Sequence, residues 1–176
     1  MIGTMVVVLV LIMSGSTRIE PLKIPLTICD DESHKHTLHF GFHPKATYGF
    51  DSLFGEAPIP PVPAVPAFDV RFLDPFRRKQ FPGDGAYVDI RHFGSRAQTD
   101  TFFVYAQPAN GSFPLTFSWP EGLGRTFDTI VLKYEHAGSS RVVDMTTHTS
   151  FAIEKDGPAS FTIITSGLKG KLPWKY

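Results

Sequence analysis

Phe113-Pro-Leu-Thr-Phe-Ser-Trp119 places a large apolar side chain at every second position, with Pro, Thr and Ser between them. Successive side chains of a strand point to opposite faces of its sheet, so this spacing predicts a strand with one face in a core. Six further stretches repeat the alternation: Leu38–Phe42, Phe68–Phe72, Ala86–Ile90, Ile130–Tyr134, Phe151–Ile153 and Phe161–Thr165.

The intervening segments carry turn signals, such as Asn110-Gly111, which favours a two-residue hairpin before Phe113. Thr101–Ala106 is apolar on both sides, which is typical of a strand in the interior of a sheet. No window has the i, i+3, i+4, i+7 apolar spacing of a long helix. The sequence therefore predicts an all-β fold, an antiparallel immunoglobulin-like β-sandwich.

One stretch cannot be a central strand. Ala57–Pro66 holds five prolines in ten residues, and proline has no N–H to donate to a neighbouring strand. We expect this stretch to cross the surface as a stiff polyproline II connector between the sheets.

The first seventeen residues contain an uninterrupted apolar run, which is too short for the ~20 residues that cross a bilayer. An integral membrane protein is therefore not expected. One interpretation is a signal peptide cleaved near Ser14-Gly-Ser16, although no Lys or Arg precedes the run. The favoured interpretation is a strand covered on both faces, since it lacks alternation. This assembly strand consists of Met5, Val6, Val7, Val8, Leu9, Val10, Leu11, Ile12 and Met13.

The composition describes one folded domain. Lys and Arg number 17, equal to Asp and Glu at 17, so the basic surface of a nucleic-acid-binding protein is not expected. Cys29 is the single cysteine and excludes an internal disulfide framework. We divide the chain into residues 1–17 (apolar strand and hinge, or signal peptide), 18–170 (one β-sandwich) and 171–176 (tail).

Candidate chemistry is sparse. His34 and His36 would share one strand face ~6–7 Å apart, a spacing that suits two metal ligands, but no third ligand is evident. We therefore expect a solvated surface there and no metal or other cofactor. The sequence has no nucleophile elbow, phosphate loop or zinc-protease motif, so an enzyme is not expected.

Three positions fit short glycosylation signals. Asn110-Gly-Ser112 matches the N-glycosylation sequon, but the hairpin turn is the favoured interpretation of these residues. Ser52 in Asp51-Ser-Leu53 and Thr129 in Asp128-Thr-Ile130 match the Asp-Ser/Thr-apolar signal used for O-glycosylation by some surface-decorating bacteria.

Several blocks together resemble exported β-sandwich surface domains of environmental bacteria that use the type IX secretion route. The blocks are Leu38-His-Phe-Gly-Phe-His-Pro-Lys-Ala-Thr-Tyr-Gly-Phe-Asp51, Phe54-Gly-Glu56, Pro58–Pro66, Phe68-Asp-Val-Arg-Phe72, Leu115-Thr-Phe-Ser-Trp-Pro120 and Val143-Asp-Met145, within residues 37–165. The resemblance implies an extracellular location, a sandwich fold and a role in surface structure or attachment. It brings no catalytic residues, and residues 167–176 are too short for the C-terminal sorting domain that such proteins commonly carry.

The leading hypothesis is an extracellular structural subunit that polymerises by inserting Met5–Met13 into the sheet of a neighbouring copy. Burial of such a strand removes roughly 1,000 Å² of apolar surface, about 25 kcal/mol before ordering costs. The alternative is a secreted carbohydrate-binding or adhesion module. In that case an exposed aromatic ring would stack on sugars, with Trp119, Trp174, Tyr87 and Tyr105 as the candidates.

Overall fold

A computed structural model describes residues 20–76, 79, 83–136, 139–154 and 159–174. Its ten strands are β1 (Leu22–Cys29), β2 (Lys35–His43), β3 (Asp69–Phe72), β4 (Val88–His92), β5 (Thr99–Gln107), β6 (Leu115–Ser118), β7 (Phe127–His136), β8 (Ser139–Asp144), β9 (Ser150–Ile153) and β10 (Ala159–Leu168). Short 3₁₀ turns occur at Ser52–Phe54, Ala109–Gly111 and Leu123–Arg125. In the described part of the chain, no helix is long and apolar enough to span a bilayer.

The strands form two five-stranded sheets. Sheet one has the order β4-β2-β1-β6-β9 and sheet two has the order β3-β5-β10-β7-β8. The all-β prediction is therefore confirmed. One strand pair departs from the predicted antiparallel pattern, because β4 pairs with β2 in parallel. In sequence, β3 comes between β2 and β4, but it belongs to sheet two. The chain therefore crosses to the other sheet and back before β4 pairs with β2, and such a crossover is what a parallel pair requires.

The two sheets pack face to face over one core. Phe40 of β2 lies 5.0 Å from Phe102 of β5, and Phe117 of β6 lies 4.5 Å from Phe161 of β10 (ring centroids). All four rings are at most 1% exposed. The alternating positions of these strands supply the core, which is the arrangement expected when two sheets share one hydrophobic layer.

The strand with the clearest alternation behaves as its sequence predicts. Leu115 and Phe117 are fully buried, and Trp119 donates its indole N–H to the carbonyl of His148 at 2.6 Å. β5 also meets its prediction, since it pairs with β3 on one side and β10 on the other. Its inward residues are buried, whereas Phe103 and Tyr105 are only half-buried on the opposite face.

The predicted hairpin at Asn110-Gly111 is wrong. β5 belongs to sheet two and β6 to sheet one, so residues 108–114 carry the chain from one sheet to the other. Asn110 adopts φ +51° in a 3₁₀ turn, and its backbone N–H donates to Pro66 O at 2.9 Å. The turn signal was therefore real, but the two strands that it joins do not pair.

The packed part of the chain continues past β10. Leu172 is 7% exposed and Trp174 is 5% exposed, and both belong to the main core. Trp174 packs against Phe93 at 5.5 Å and His43 at 5.7 Å between ring centroids. These contacts anchor the segment after β10 against the end of sheet one.

Candidate functional site

A groove of about 660 Å³ lies on the outward face of sheet two, opposite the core. We call it the outer groove. It crosses β5, β10 and β7 and continues to the segment after β3. Its lining residues are Leu73, Pro75, Lys79, Phe103, Val104, Tyr105, Lys133, Glu135, Ser160, Phe161 and Thr162.

Strand register explains the chemistry of the outer groove. Phe103 is opposite Thr162, and Thr162 is opposite Lys133, so an aromatic ring, a hydroxyl and an ammonium form one row across three strands. Tyr105 is opposite Ser160 in the neighbouring row. Same-face neighbours in adjacent strands lie ~4.5–5.5 Å apart, close enough to contact one ligand together. The groove therefore offers two ring faces beside hydrogen-bonding groups.

The ring of Tyr105 is fixed by its hydroxyl. That hydroxyl donates to Gln107 Oε1 at 2.8 Å, and Gln107 Nε2 in turn donates to the carbonyl of Ala67 at 2.6 Å. Burial raises the pKa of the Tyr105 phenol, and nearby Asp69 raises it further while Arg71 opposes the rise. The phenol is thus a neutral group with a fixed ring, as a stacking platform requires.

A buried ion pair holds the proline-rich segment beside this groove. Arg71 and Asp69 form two hydrogen bonds, Nε to Oδ2 at 2.6 Å and Nη2 to Oδ1 at 2.7 Å. Arg71 Nη1 also donates to the carbonyls of Pro60 at 2.6 Å and Asp84 at 2.8 Å. Ala57–Pro66 forms no strand, and Arg71 holds its Pro60 carbonyl beside β3.

Residues outside the proline-rich segment, Glu56 and Ala86, help to close one lateral side of the sandwich. Phe72 of β3 exchanges backbone hydrogen bonds with Ala86, N to O at 2.8 Å and O to N at 3.0 Å. On β4, the buried N–H of Ile90 donates to Glu56 Oε1 at 2.8 Å. The outward edges of β3 and β4 are therefore occupied by other parts of this chain, and we call this the closed side.

Among the residues that the structure describes, none covers the opposite lateral side in this way; that side is formed by β8 and β9. Within the described residues, each of these two strands pairs on one side only. Val143 of β8 is opposite buried Leu132, and Phe151 of β9 is opposite buried Phe117, so both point toward the core. Both remain only half-buried at the margin of the core. We call this the open side.

A smaller pocket of about 240 Å³ lies at one end of the sandwich. Its lining residues are Thr47, Tyr48, Arg91, His92, Gln98 and Asp100. Arg91 donates to Asp74 at 2.8 Å and Asp89 at 3.1 Å, and its guanidinium lies 4.7 Å from the Phe102 ring centroid. Burial raises the pKa of the Asp100 carboxyl, which accepts a hydrogen bond from Gln98. Arg91, Gln98 and Asp100 therefore already have polar partners within the protein, which favours a structural role for these three side chains.

The predicted assembly strand Met5–Met13 and the hinge after it lie outside the described residues. Trp119 and Trp174 are both buried (5% exposed), so neither can offer a ring face to a ligand. Tyr87 is 40% exposed but packs against His36 at a tilt of 43°, with ring centroids 4.2 Å apart. Of the four candidate aromatic residues, Tyr105 is the one in a groove, and sequence reasoning did not identify its neighbour Phe103.

His34 and His36 have separate neighbours. His34 Nδ1 lies 3.1 Å from the fully buried carboxylate of Asp30, whereas His36 packs on Tyr87. Burial lowers the pKa of the His36 imidazole, with Asp69 acting in the opposite direction. Among the described residues, no group of three or more His, Cys, Asp or Glu could hold a metal ion.

The three glycosylation candidates are all at the surface. Asn110, Ser52 and Thr129 are exposed. The side-chain amide of Asn110 donates to Glu32 at 3.2 Å, an interaction that an attached glycan would disrupt. The structure thus makes all three sites accessible and gives Asn110 a structural partner as well.

No protein-family model, curated protein or solved structure matches this chain.

Proposed function

We propose that this chain is an extracellular structural subunit, an immunoglobulin-like β-sandwich that self-assembles into a surface filament. In this proposal, Met5–Met13 of one copy pairs with the sheet of the next copy. The observation that supports it is the asymmetry of the sandwich: within the described residues, the open side has strand edges with no pairing partner beside half-buried Val143 and Phe151. An extended segment can add to such an edge through backbone hydrogen bonds.

The chemistry of the two partners is complementary. The donor segment has nine apolar residues and no charge, so it needs cover from water. The open side has two apolar residues, Val143 and Phe151, that are packed against the edge of the core and remain partly exposed. Because donor and acceptor are different surfaces, each addition leaves one of each free, and the contact propagates as a filament unless the rotation between copies closes a ring.

Removal of residues 1–13 tests the proposal. The full chain should form filaments visible by electron microscopy, and the truncated chain should remain monomeric in analytical ultracentrifugation. The near-ultraviolet circular dichroism of buried Trp119 and Trp174 reports whether the sandwich still folds. Filaments of the truncated chain with unchanged dimensions would refute the proposal.

A matched pair of variants distinguishes strand insertion from non-specific hydrophobic association. Val7→Ile with Val8→Ile keeps the apolar, β-branched character of the donor and should assemble normally. Val7→Lys with Val8→Lys places a charge on each face of the donor strand, so one charge lies on the face that must be covered, and an uncompensated buried charge is strongly unfavourable. We expect the lysine variant to lose assembly. Equal assembly of both variants would contradict a role for this segment.

The outer groove favours a second candidate function, binding of a carbohydrate chain by the same domain. Phe103 and Tyr105 provide apolar ring faces, while Ser160, Thr162 and Lys133 provide hydrogen-bonding groups beside them. This combination of a few polar groups with aromatic surface is typical of small-ligand sites. The proposal is a non-catalytic binding function.

Glycan-array binding by monomeric protein tests this second function. Tyr105→Ala should abolish binding because it removes the fixed ring of the groove. Tyr87→Ala is the matched control, since Tyr87 is exposed but does not line the groove. Binding that survives Tyr105→Ala, or no binding to any glycan by the unmodified protein, would exclude the outer groove as a carbohydrate site.

A further inference from the structure

We infer that the acceptor for the donor segment is the free edge of β8, so that Met5–Met13 of a second copy extends sheet two. This inference rests on the proposed self-assembly and adds to it the identity of the accepting strand. In the described part of the chain, the two sheets have four strand edges, those of β3, β4, β8 and β9. The structure permits a choice among them.

Two of the four edges are excluded because the chain itself occupies them. β3 is bonded to Ala86 and lined by the proline-rich segment that Arg71 holds. β4 donates from Ile90 to buried Glu56, which also accepts from the backbone of Asp51 at 2.8 Å. An incoming strand would have to break these bonds before making its own, and buried polar groups left without partners are costly.

Of the two remaining edges, β8 is the longer. It has six residues and β9 has four, which at ~3.3 Å per residue gives about 20 Å against about 13 Å of pairing length. A nine-residue donor spans about 30 Å, so β8 satisfies more of its backbone hydrogen bonds. Length therefore favours β8.

The side chains of β8 also suit an apolar partner. Val142 faces outward and is 60% exposed, in the row that contains Lys133 of β7. Val143 faces the core and is half-buried, with Phe151 across the open side in the other sheet. A donor strand beside β8 would cover Val143 and Phe151 with one set of alternate residues. Its other set would lie next to Val142.

Disulfide cross-linking between two differently tagged populations tests this inference. The donor chains carry one cysteine, scanned from position 6 to 12, and the acceptor chains carry Val142→Cys. Both have Cys29→Ser, which removes the native thiol. An acceptor with Ala152→Cys in β9 is the matched control. The two populations are mixed as monomers before assembly, so a heterodimer can arise only between copies.

We expect heterodimers with Val142→Cys at alternate donor positions, because a strand places every second side chain on the same face. The β9 acceptor should lose this product. Filaments that cross-link to Ala152→Cys, or to neither acceptor, would overturn β8 as the receiving edge while leaving self-assembly intact. The absence of filaments from the unmodified full chain would instead overturn the proposed function, and the inference with it.

Discussion

Arg71→Ala should destabilise the fold far more than the loss of an ordinary surface charge. The Arg71 side chain is 3% exposed and that of Asp69 is 7% exposed, so the variant leaves a carboxylate buried without its cation. Breaking one partner of a buried ion pair costs about 3–5 kcal/mol. That is a large part of the roughly 5–15 kcal/mol that stabilises a typical domain.

Urea unfolding measures the effect. With a denaturant dependence of about 2 kcal/mol per molar, the loss corresponds to a midpoint lower by ~1.5–2.5 M. The matched control is Lys169→Ala, which removes an exposed ion pair with Asp128 at 3.2 Å. Exposed pairs contribute about 0–1 kcal/mol, so its midpoint should fall by no more than ~0.5 M.

The local consequence of Arg71→Ala can be followed separately. Amide exchange should accelerate at Ile59 and Asp84, whose N–H groups donate to Gly85 O and Ile59 O beside the lost guanidinium. A second variant, Arg71→Met with Asp69→Leu, replaces the pair by apolar side chains and should recover most of the stability. If Arg71→Ala behaves like Lys169→Ala in urea, the assigned role of this pair is incorrect.

Two further predictions concern glycine and histidine. Gly41→Ala should destabilise the fold by roughly 1–3 kcal/mol or more, because its new Cβ would lie 1.7 Å from the carbonyl oxygen of Leu22. Gly94→Ala, whose Cβ would meet no atom closer than 3.6 Å, is the control, and equal urea midpoints would contradict the prediction. Burial lowers the pKa of both His36 and His39, so the fold favours their neutral forms. Their contribution is present above pH 6.5, the ordinary histidine value, and is lost as the pH falls through the lowered folded-state values. The double variant His36→Gln with His39→Gln should therefore show a smaller decline of the urea midpoint between pH 7 and pH 5, and an unchanged decline would refute this.

Alternation predicted the strands because it records directly which face of a strand is buried. Leu38 and Phe40 in β2 and Phe161 in β10 have the burial that their spacing indicates. Pairing partners were beyond this reasoning. The parallel contact of β4 with β2 depends on where β3 lies, and no local spacing records that.

The candidate sites were harder to predict because they also depend on contacts between segments that are distant in sequence. Trp174 lies in residues 171–176, which the sequence predicts to be a tail. In the structure it packs on His43 and Phe93, which are distant in sequence. Phe103 belongs to a strand that is apolar on both sides in sequence, whereas in the structure it lines a groove on the outer face of sheet two. The pattern within one segment shows which face of a strand is apolar, but it does not show which other segments of the chain cover that face.

The position of β10 has a consequence for how the chain acquires its structure. β10 is the middle strand of sheet two and joins β5 on one side to β7 on the other. Until residues 159–168 have been synthesised, β5 and β7 have no common partner, and sheet two remains in two halves with open edges. Folding of this sheet must therefore wait for the late part of the chain, and pairing between strands far apart in sequence is slow. During synthesis, the nascent polypeptide therefore exposes unpaired strand edges that can associate with an incorrect partner.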